Sequence, residues 1–188
     1  MQPLNILAVN QDSGNGEDLV KFVEDAGCFF PRDAWYDIRY LGELSVEHDL
    51  EIRIGGEACG ALHFKRLVKK FRTVRNSREL MGVLLGITPQ PIVDFYHSLE
   101  GGKLKSTVFF VHDYVSQNVG VVSLFRVKED SACKVVAHGL GHNQGLRHHL
   151  EPSDLMHSEL LRISKLQVEG FCNFCLHALS KRLKQARS

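Results

Sequence analysis

Apolar and polar positions divide the first half of the chain into segments with strand-like and helix-like patterns. The apolar segment "LNILAVN" leads into the polar stretch "QDSGNGED", and this order predicts a strand, a loop and then a capped helix that ends at Gly27. The alternation in "WYDIRYLG" predicts a second strand. In "GALHFKRLVKKFRTV", Leu62, Leu67, Val68 and Phe71 recur at near-helical spacing, which predicts a helix.

Three apolar segments rich in Val and Phe follow, and each predicts a strand. They are residues 80–88, 106–114 and 120–127. Downstream, "DSACKVVAHGLGH" predicts a helix with Asp130 or Ser131 as its N-cap. Helices interleaved with strands indicate the α/β class and a mixed sheet. We find no internal repeat and no low-complexity linker, so residues 1–188 are predicted to form a single domain.

The charge balance argues against partners that bind through charge alone. Lys and Arg number 23 against 22 Asp and Glu, a net charge of +1, so we expect neither nucleic acid nor an anionic membrane as a partner. The sequence has neither the apolar run of a membrane span nor a signal peptide at its start, and we expect a cytoplasmic protein. The basic positions of the predicted helix are expected to be a solvated face: Lys65, Arg66, Lys69, Lys70 and Arg72.

The five cysteines indicate metal chemistry more than disulfide bonds. Cys28, Cys59 and Cys133 stand apart from one another and are predicted to be buried thiols. Cys172 and Cys175 form "CNFC", a spacing that in a reducing compartment marks metal or redox chemistry. A thioredoxin-type redox role is disfavoured, since that chemistry places its cysteines near the start of a βαβ unit.

The stretch "HGLGHNQGLRHH" concentrates four of the ten histidines. His138 and His142 are four residues apart, so on a helix both rings face the same side. Gly145 tolerates a positive φ and can end the helix so that His148 turns back toward the other two. A catalytic zinc site typically has three protein ligands, such as neutral imidazoles, and leaves the fourth coordination position of the ion open. We therefore predict zinc at these three histidines.

The pattern H-x-x-x-H-x-x-G-x-x-H is that of the metzincins, and the sequence resembles the archaemetzincins in particular. Their motif is HExxHxxGxxHCx4CxM followed by CxxC, and here the stretch continues as "HHLEPSDLMH" and then "CNFC". The resemblance implies a metzincin-like domain: a twisted mixed sheet with an antiparallel edge strand, an active-site helix, and a Met-turn at Met156. It also implies a zinc metallopeptidase that acts on a peptide or protein, with "STVFFVHDY" offering an edge for strand addition.

The sequence departs from that motif at Gly139, where the family has the catalytic glutamate. That glutamate carries the proton from water to the leaving amine, and such general acid–base assistance is typically worth about 10²- to 10⁴-fold in rate. We therefore expect weak or absent hydrolysis and no catalytic residue at this position. The alternative function is a non-catalytic, zinc-bound protein that binds peptides or regulates a partner. Possible substitutes for the base are Glu129, Asp130, Glu151 and His149.

A second departure concerns the family's cysteines after the third histidine, which are His149 and Asp154 here. Both can still bind zinc, through nitrogen or oxygen. With Cys172 and Cys175 they are predicted to form a second, structural zinc site, for which His157 is an alternative ligand. The competing interpretation is an empty pair of reduced thiols.

Overall fold

The computed structural model describes residues 2–11, 16–31, 34–158, 160 and 168–185. Within them the strands are β1 (Gln2–Val9), β2 (Trp35–Leu44), β3 (Leu50–Ile54), β4 (Glu57–His63), β5 (Val83–Thr88), β6 (Ile92–Glu100), β7 (Lys103–Phe110), β8 (Asp113–Val115) and β9 (Val119–Ser123). The helices are α1 (Gly16–Gly27), α2 (Phe64–Ser77), α3 (Glu129–Asn143) and α4 (Asn173–Gln185).

A five-stranded central sheet carries the fold, with strand order β2-β1-β5-β9-β8. Its first four strands are parallel, and β8 pairs antiparallel with β9 at the edge. Strands buried on both faces have near-continuous apolar sequences, as β5 does in "VLLGIT". The α/β class and the mixed sheet with an antiparallel edge strand are therefore confirmed.

The two faces of the central sheet pack against different partners. Leu4 and Ile6 of β1 belong to a core shared with α1, α3 and α4. Leu7 and Val9, which point the other way, belong to a core shared with α2. In that second core the ring of Phe71 lies directly on the backbone of the central sheet, where Gly86 leaves room for it. A second sheet of order β3-β4-β6-β7 continues from this side.

The segment predicted as one strand from Ser106 to Tyr114 is in fact two strands, so that prediction was wrong. β7 pairs with β6 in the second sheet and ends at Phe110, whereas β8 begins at Asp113 in the central sheet. Between them, the Val111 N–H donates to a β6 carbonyl and the His112 carbonyl accepts from β9. Residues 111–112 thus carry the chain from one sheet to the other, and apolar patterning does not distinguish the two sheets.

Helix boundaries follow the sequence closely at some ends and not at others. The first helix ends at Gly27 as predicted. The second begins only at Phe64, because residues 57–63 form β4. Lys128 is the N-cap residue of α3, so the prediction of Asp130 or Ser131 as N-cap was wrong and both lie in the first turn. Residues 12–15 of the predicted loop lie outside the described residues.

Surface positions test two further predictions. The basic residues of α2 are exposed, which confirms the solvated face. The prediction of three buried thiols was wrong: Cys28 is exposed at the end of α1, and Cys59 and Cys133 are only half-buried. Among the described residues, no helix combines the length and apolar character that a membrane span requires.

The packing of Phe71 leads to a stability prediction. Phe71→Ala removes a fully buried ring and should lower the free energy of unfolding by about 3–5 kcal/mol in denaturant titrations. Arg72→Ala, one residue along on the exposed face, is the matched control and should change it by less than about 0.5 kcal/mol. Equal effects of the two substitutions would contradict the assignment of Phe71 to the core.

Candidate metal centre

Helix α3 brings His138 and His142 together one turn apart. His138 is buried and His142 is half-buried, and their rings lie edge to face with centroids 4.7 Å apart. Because residues four apart on a helix share a face, both rings point to the same side, as the sequence predicts.

The end of α3 turns the chain so that His148 reaches the same point. Gly145 has φ +78°, its N–H donates to the His142 carbonyl at 2.8 Å, and the Leu146 N–H donates to the Gly141 carbonyl at 2.9 Å. These two hydrogen bonds and the left-handed glycine form a Schellman motif. His148 follows this turn, and its ring stacks on that of His138 with centroids 5.1 Å apart.

The three Nε2 atoms converge, and the outer ring nitrogens of two histidines face acceptors. His148 Nε2 lies 3.0 Å from His138 Nε2 and 3.1 Å from His142 Nε2. His138 Nδ1 lies 3.1 Å from Asp113 Oδ2, and His142 Nδ1 lies 3.1 Å from the Leu146 carbonyl. A carboxylate and a carbonyl can only accept here, so each Nδ1 carries the hydrogen and each Nε2 keeps its lone pair. This is the arrangement of histidines that bind a metal, and the trio fits zinc.

The electrostatics of the site favour neutral rings at His142 and His148. Burial lowers the pKa of His142, and the positive charge of a protonated His138 would lower it further. Burial and the two neighbouring rings also lower the pKa of His148. The Asp113 carboxylate acts to raise both pKa values but does not cancel the lowering. Near neutral pH these two rings are therefore in the form that binds a metal.

Gly139 lies where strand β8 comes closest to α3. A Cβ atom at this position would be 3.1 Å from Asp113 Oδ2 and 3.1 Å from Val115 Cγ2. Glycine inside a helix costs about 1 kcal/mol relative to alanine, and this close approach accounts for it.

Asp113 is the residue of this site that sequence reasoning missed. It follows a long apolar segment, and an acidic residue there was the available signal. Of the proposed substitutes for the glutamate, Glu129 and Asp130 start α3 some eight residues before His138, about 12 Å along the helix axis at 1.5 Å per residue. The Glu151 carboxylate accepts from the Ser153 hydroxyl on the surface, and His149 belongs to another cluster.

The second predicted group also comes together. His149 Nε2 lies 3.3 Å from Cys175 Sγ, 3.3 Å from Asp154 Oδ2 and 3.9 Å from Cys172 Sγ. Among the described residues, those four make up this cluster, with ligand atoms within 4.8 Å of one another. His157 pairs with His149 through the backbone only. Residues 161–167, between Met156 and Cys172, lie outside the described residues.

Asp154 joins this cluster to the turn at Met156. Its carboxylate is fully buried and accepts the backbone N–H groups of Met156 and Cys172. Burial acts to raise the pKa of Asp154, but the hydrogen bonds from Cys172 and Met156 outweigh it and lower the pKa. Met156 is itself buried against α3, since a Cβ at Gly141 would be 2.7 Å from its Sδ.

His149 differs from the trio in the partner of its outer nitrogen. Its Nδ1 accepts the Glu151 N–H at 3.2 Å, so in the neutral ring Nε2 carries the hydrogen. A metal bound through Nε2 would require this hydrogen bond to be given up. Burial raises the pKa of the Cys175 thiol, and the nearby Asp154 charge raises it further. Without metal the thiol stays protonated, which disfavours a redox role.

Among the comparisons with known proteins, the one with solved structures bears on the fold. No protein-family model and no curated protein matches the sequence. Among solved structures, the chain is similar to an archaemetzincin from Methanopyrus kandleri, with TM-score 0.63, 18% identity, and 97% of this chain and 96% of that chain covered. It is also similar to a zinc-dependent peptidase from Methanocorpusculum labreanum, with TM-score 0.63 and 16% identity. That likeness covers 94% of this chain and 99% of that chain.

A third similar structure is the archaemetzincin from Archaeoglobus fulgidus complexed with malonate. Its TM-score is 0.57 at 16% identity, with 94% of this chain and 99% of that chain covered. At these identities the likeness concerns the fold. The chain therefore has the fold that the sequence resemblance implied.

The lowered histidine pKa values predict a pH dependence of stability for the metal-free protein. Since His142 and His148 have folded pKa values below 6.5, the unfolded chain binds more protons as the pH falls through that value. The free energy of unfolding of chelator-treated protein should therefore be lower at about pH 5.5 than at about pH 7.5, measured in urea.

Asp154 does not complicate this measurement, because its pKa lies below 3.8. The double variant His142→Gln/His148→Gln is the control, and it should show a flatter pH dependence. Stability that stays level or rises on acidification of the unmodified chain would contradict the prediction.

Proposed function

We propose that this chain binds zinc through the Nε2 atoms of His138, His142 and His148 and is a metallopeptidase-like protein with weak or absent hydrolytic activity. The observation that carries the proposal is the convergence of three Nε2 atoms, with the outer nitrogens of His138 and His142 on acceptors. The likeness in fold to an archaemetzincin and to a zinc-dependent peptidase supports it.

The chain supplies a place for an extended peptide beside the three histidines. Zinc bound there acts as a Lewis acid that polarises a carbonyl and activates water. Strand β8 lies last in the central sheet, and its Asp113 contacts His138. A peptide added along β8 would hydrogen-bond through its main chain and bring a carbonyl to the trio. The strand-addition hypothesis is therefore retained for residues 113–115 and not for the whole predicted segment.

The proposed weak activity follows from Gly139 and Asp113, because neither offers a proton carrier beside the converging Nε2 atoms. Gly139 has no side chain, and the Asp113 carboxylate binds the Nδ1 side of His138, away from the converging Nε2 atoms. The same observation favours the alternative function, a non-catalytic zinc-bound protein that binds peptides or regulates a partner. The two functions share the proposed zinc site and the proposed peptide-binding edge of β8, and they differ in turnover.

We also propose a second, structural zinc at His149, Asp154, Cys172 and Cys175. Giving up the Glu151–His149 hydrogen bond costs about 0.5–1.5 kcal/mol. Structural zinc in small domains contributes about 10–16 kcal/mol at neutral pH, so the metal outweighs this loss. Cys172 lies just before α4, so the ion would hold the start of that helix against the turn at Met156.

Restoring a carboxylate at position 139 tests the catalytic proposal. Gly139→Glu, combined with Val115→Ala to relieve the contact at Cγ2, should raise peptide hydrolysis by about 10²- to 10⁴-fold. Gly139→Gln in the same background is the matched control, since it has similar size but cannot accept the proton. Initial rates on a quenched fluorescent peptide, with zinc content measured for each variant, provide the readout.

Two outcomes would change the proposal. Turnover of the unmodified chain at rates typical of enzymes, about 1–10³ per second, would show that another group acts as the base. No gain from Gly139→Glu/Val115→Ala with zinc bound would favour the peptide-binding alternative.

Metal content tests the two zinc sites separately. The chain purified with zinc should hold two ions, one for each group of ligands. Cys172→Ser/Cys175→Ser should hold one and lose melting temperature, because structural zinc contributes to folding. His138→Gln/His142→Gln should lose the other ion. One zinc in the unmodified chain, with stability unaffected by the cysteine substitutions, would remove the second site.

A further inference from the structure

Asp113 has the environment of a residue built into a site. It lies on β8, its side chain is 5% exposed, and the ring of His138 that it contacts is 2% exposed. A carboxylate loses its hydration on burial, and it is found inside a protein when it is hydrogen-bonded or paired. The contact between Asp113 Oδ2 and His138 Nδ1, at 3.1 Å, provides such a partner.

This contact selects the tautomer of His138. An ionised carboxylate only accepts hydrogen bonds, so Nδ1 must carry the hydrogen and Nε2 must present its lone pair. The Leu146 carbonyl does the same for His142, but a backbone carbonyl cannot be removed by substitution. Asp113 is therefore the side chain through which the orientation of a ring in the trio can be tested.

The same carboxylate occupies volume next to Gly139. The nearest neighbours of an added Cβ there would be Asp113 Oδ2, Val115 Cγ2 and Asp113 Cβ, at 3.1, 3.1 and 3.3 Å. A methyl group at 139 would be tightly packed against both side chains, and Asp113 or Val115 would have to move by a few tenths of an ångström to accept it. The glycine thus makes room for the Asp113–His138 contact.

From these contacts we propose that Asp113 is a positioning residue of the three-histidine site, which orients His138 for metal binding and packs closely against Gly139. The proposal rests on the proposed zinc site. The buried negative charge also favours a dication beside three neutral rings, since opposite charges attract strongly where water is excluded. Asp113 acts through His138 and does not contact the position that a peptide carbonyl would take.

The test compares three variants by metal affinity. Asp113→Leu removes the acceptor with a side chain of the same branching, Asp113→Asn keeps an acceptor oxygen at similar volume without the charge, and Val115→Ala disturbs the same strand without touching the hydrogen bond. Co²⁺ is titrated into each metal-free protein and followed by its visible absorption. Removing the partner of a ligating histidine typically costs about 10- to 100-fold in affinity. We expect that loss for Asp113→Leu, a smaller one for Asp113→Asn and less than about 3-fold for Val115→Ala.

A second readout needs no metal. Long-range ¹H–¹⁵N NMR spectra of the metal-free, unmodified chain should show His138 with its hydrogen on Nδ1. Asp113→Leu should give a mixture of tautomers. His138 with its hydrogen on Nε2 in the unmodified chain would overturn the proposal, as would equal losses of Co²⁺ affinity in Asp113→Leu and Val115→Ala.

Gly139→Ala tests the part played by glycine. Its added methyl group should weaken Co²⁺ binding in the same direction as Asp113→Leu and should not yield the stability gain of about 1 kcal/mol expected for alanine in a helix. Unchanged Co²⁺ affinity of Gly139→Ala, together with the full gain in stability, would show that the glycine at position 139 is not needed for the Asp113–His138 contact. If the unmodified chain binds no Co²⁺ or Zn²⁺ at all, the proposed function fails, and the tautomer of His138 still decides the role of Asp113.

Discussion

Close packing around helix α3 is the constraint on which the candidate site depends. Three glycines separate the histidines of this segment, and each one lies against a different neighbour, closer than an ordinary Cβ contact. Gly139 accepts strand β8, Gly141 accepts the sulfur of Met156, and Gly145 accepts the guanidinium of Arg182 from α4. These contacts hold three parts of the fold against α3: the sheet edge, the turn at Met156 and helix α4. Helix α3 carries two of the three converging rings. Backbone freedom matters at Gly145, and space matters at all three.

The two candidate metal groups differ in what faces the nitrogen that points away from the ion. At His138 and His142 this nitrogen meets a carboxylate or a carbonyl, so the hydrogen bonds and the metal favour the same tautomer. At His149 it meets a backbone N–H, so the hydrogen bond and the metal favour different tautomers. Two rings of the trio are therefore arranged for a metal before one arrives. The second group holds together through Asp154, whose hydrogen bonds to Met156 and Cys172 do not require an ion.

Much of the fold and of the trio could be predicted from sequence because both depend on local periodicity. The spacing of His138 and His142 is a property of the helix, and Gly145 indicates where the helix ends. Asp113 could not be assigned in this way, because its role depends on a contact with a residue twenty-five positions away on another element. The division of the segment 106–114 between two sheets had the same cause. Pairing with β6 or with β9 is decided by tertiary contacts that alternation along one strand does not encode.

The shared volume between Asp113 and Gly139 has a consequence for how such a site can change over generations. A single substitution that introduces a side chain at 139 crowds Asp113 and Val115, whose side chains must then move by a few tenths of an ångström. A smaller side chain at 113 or 115 that comes first would open this space. The cost of a change at 139 therefore depends on which residues already stand at 113 and 115.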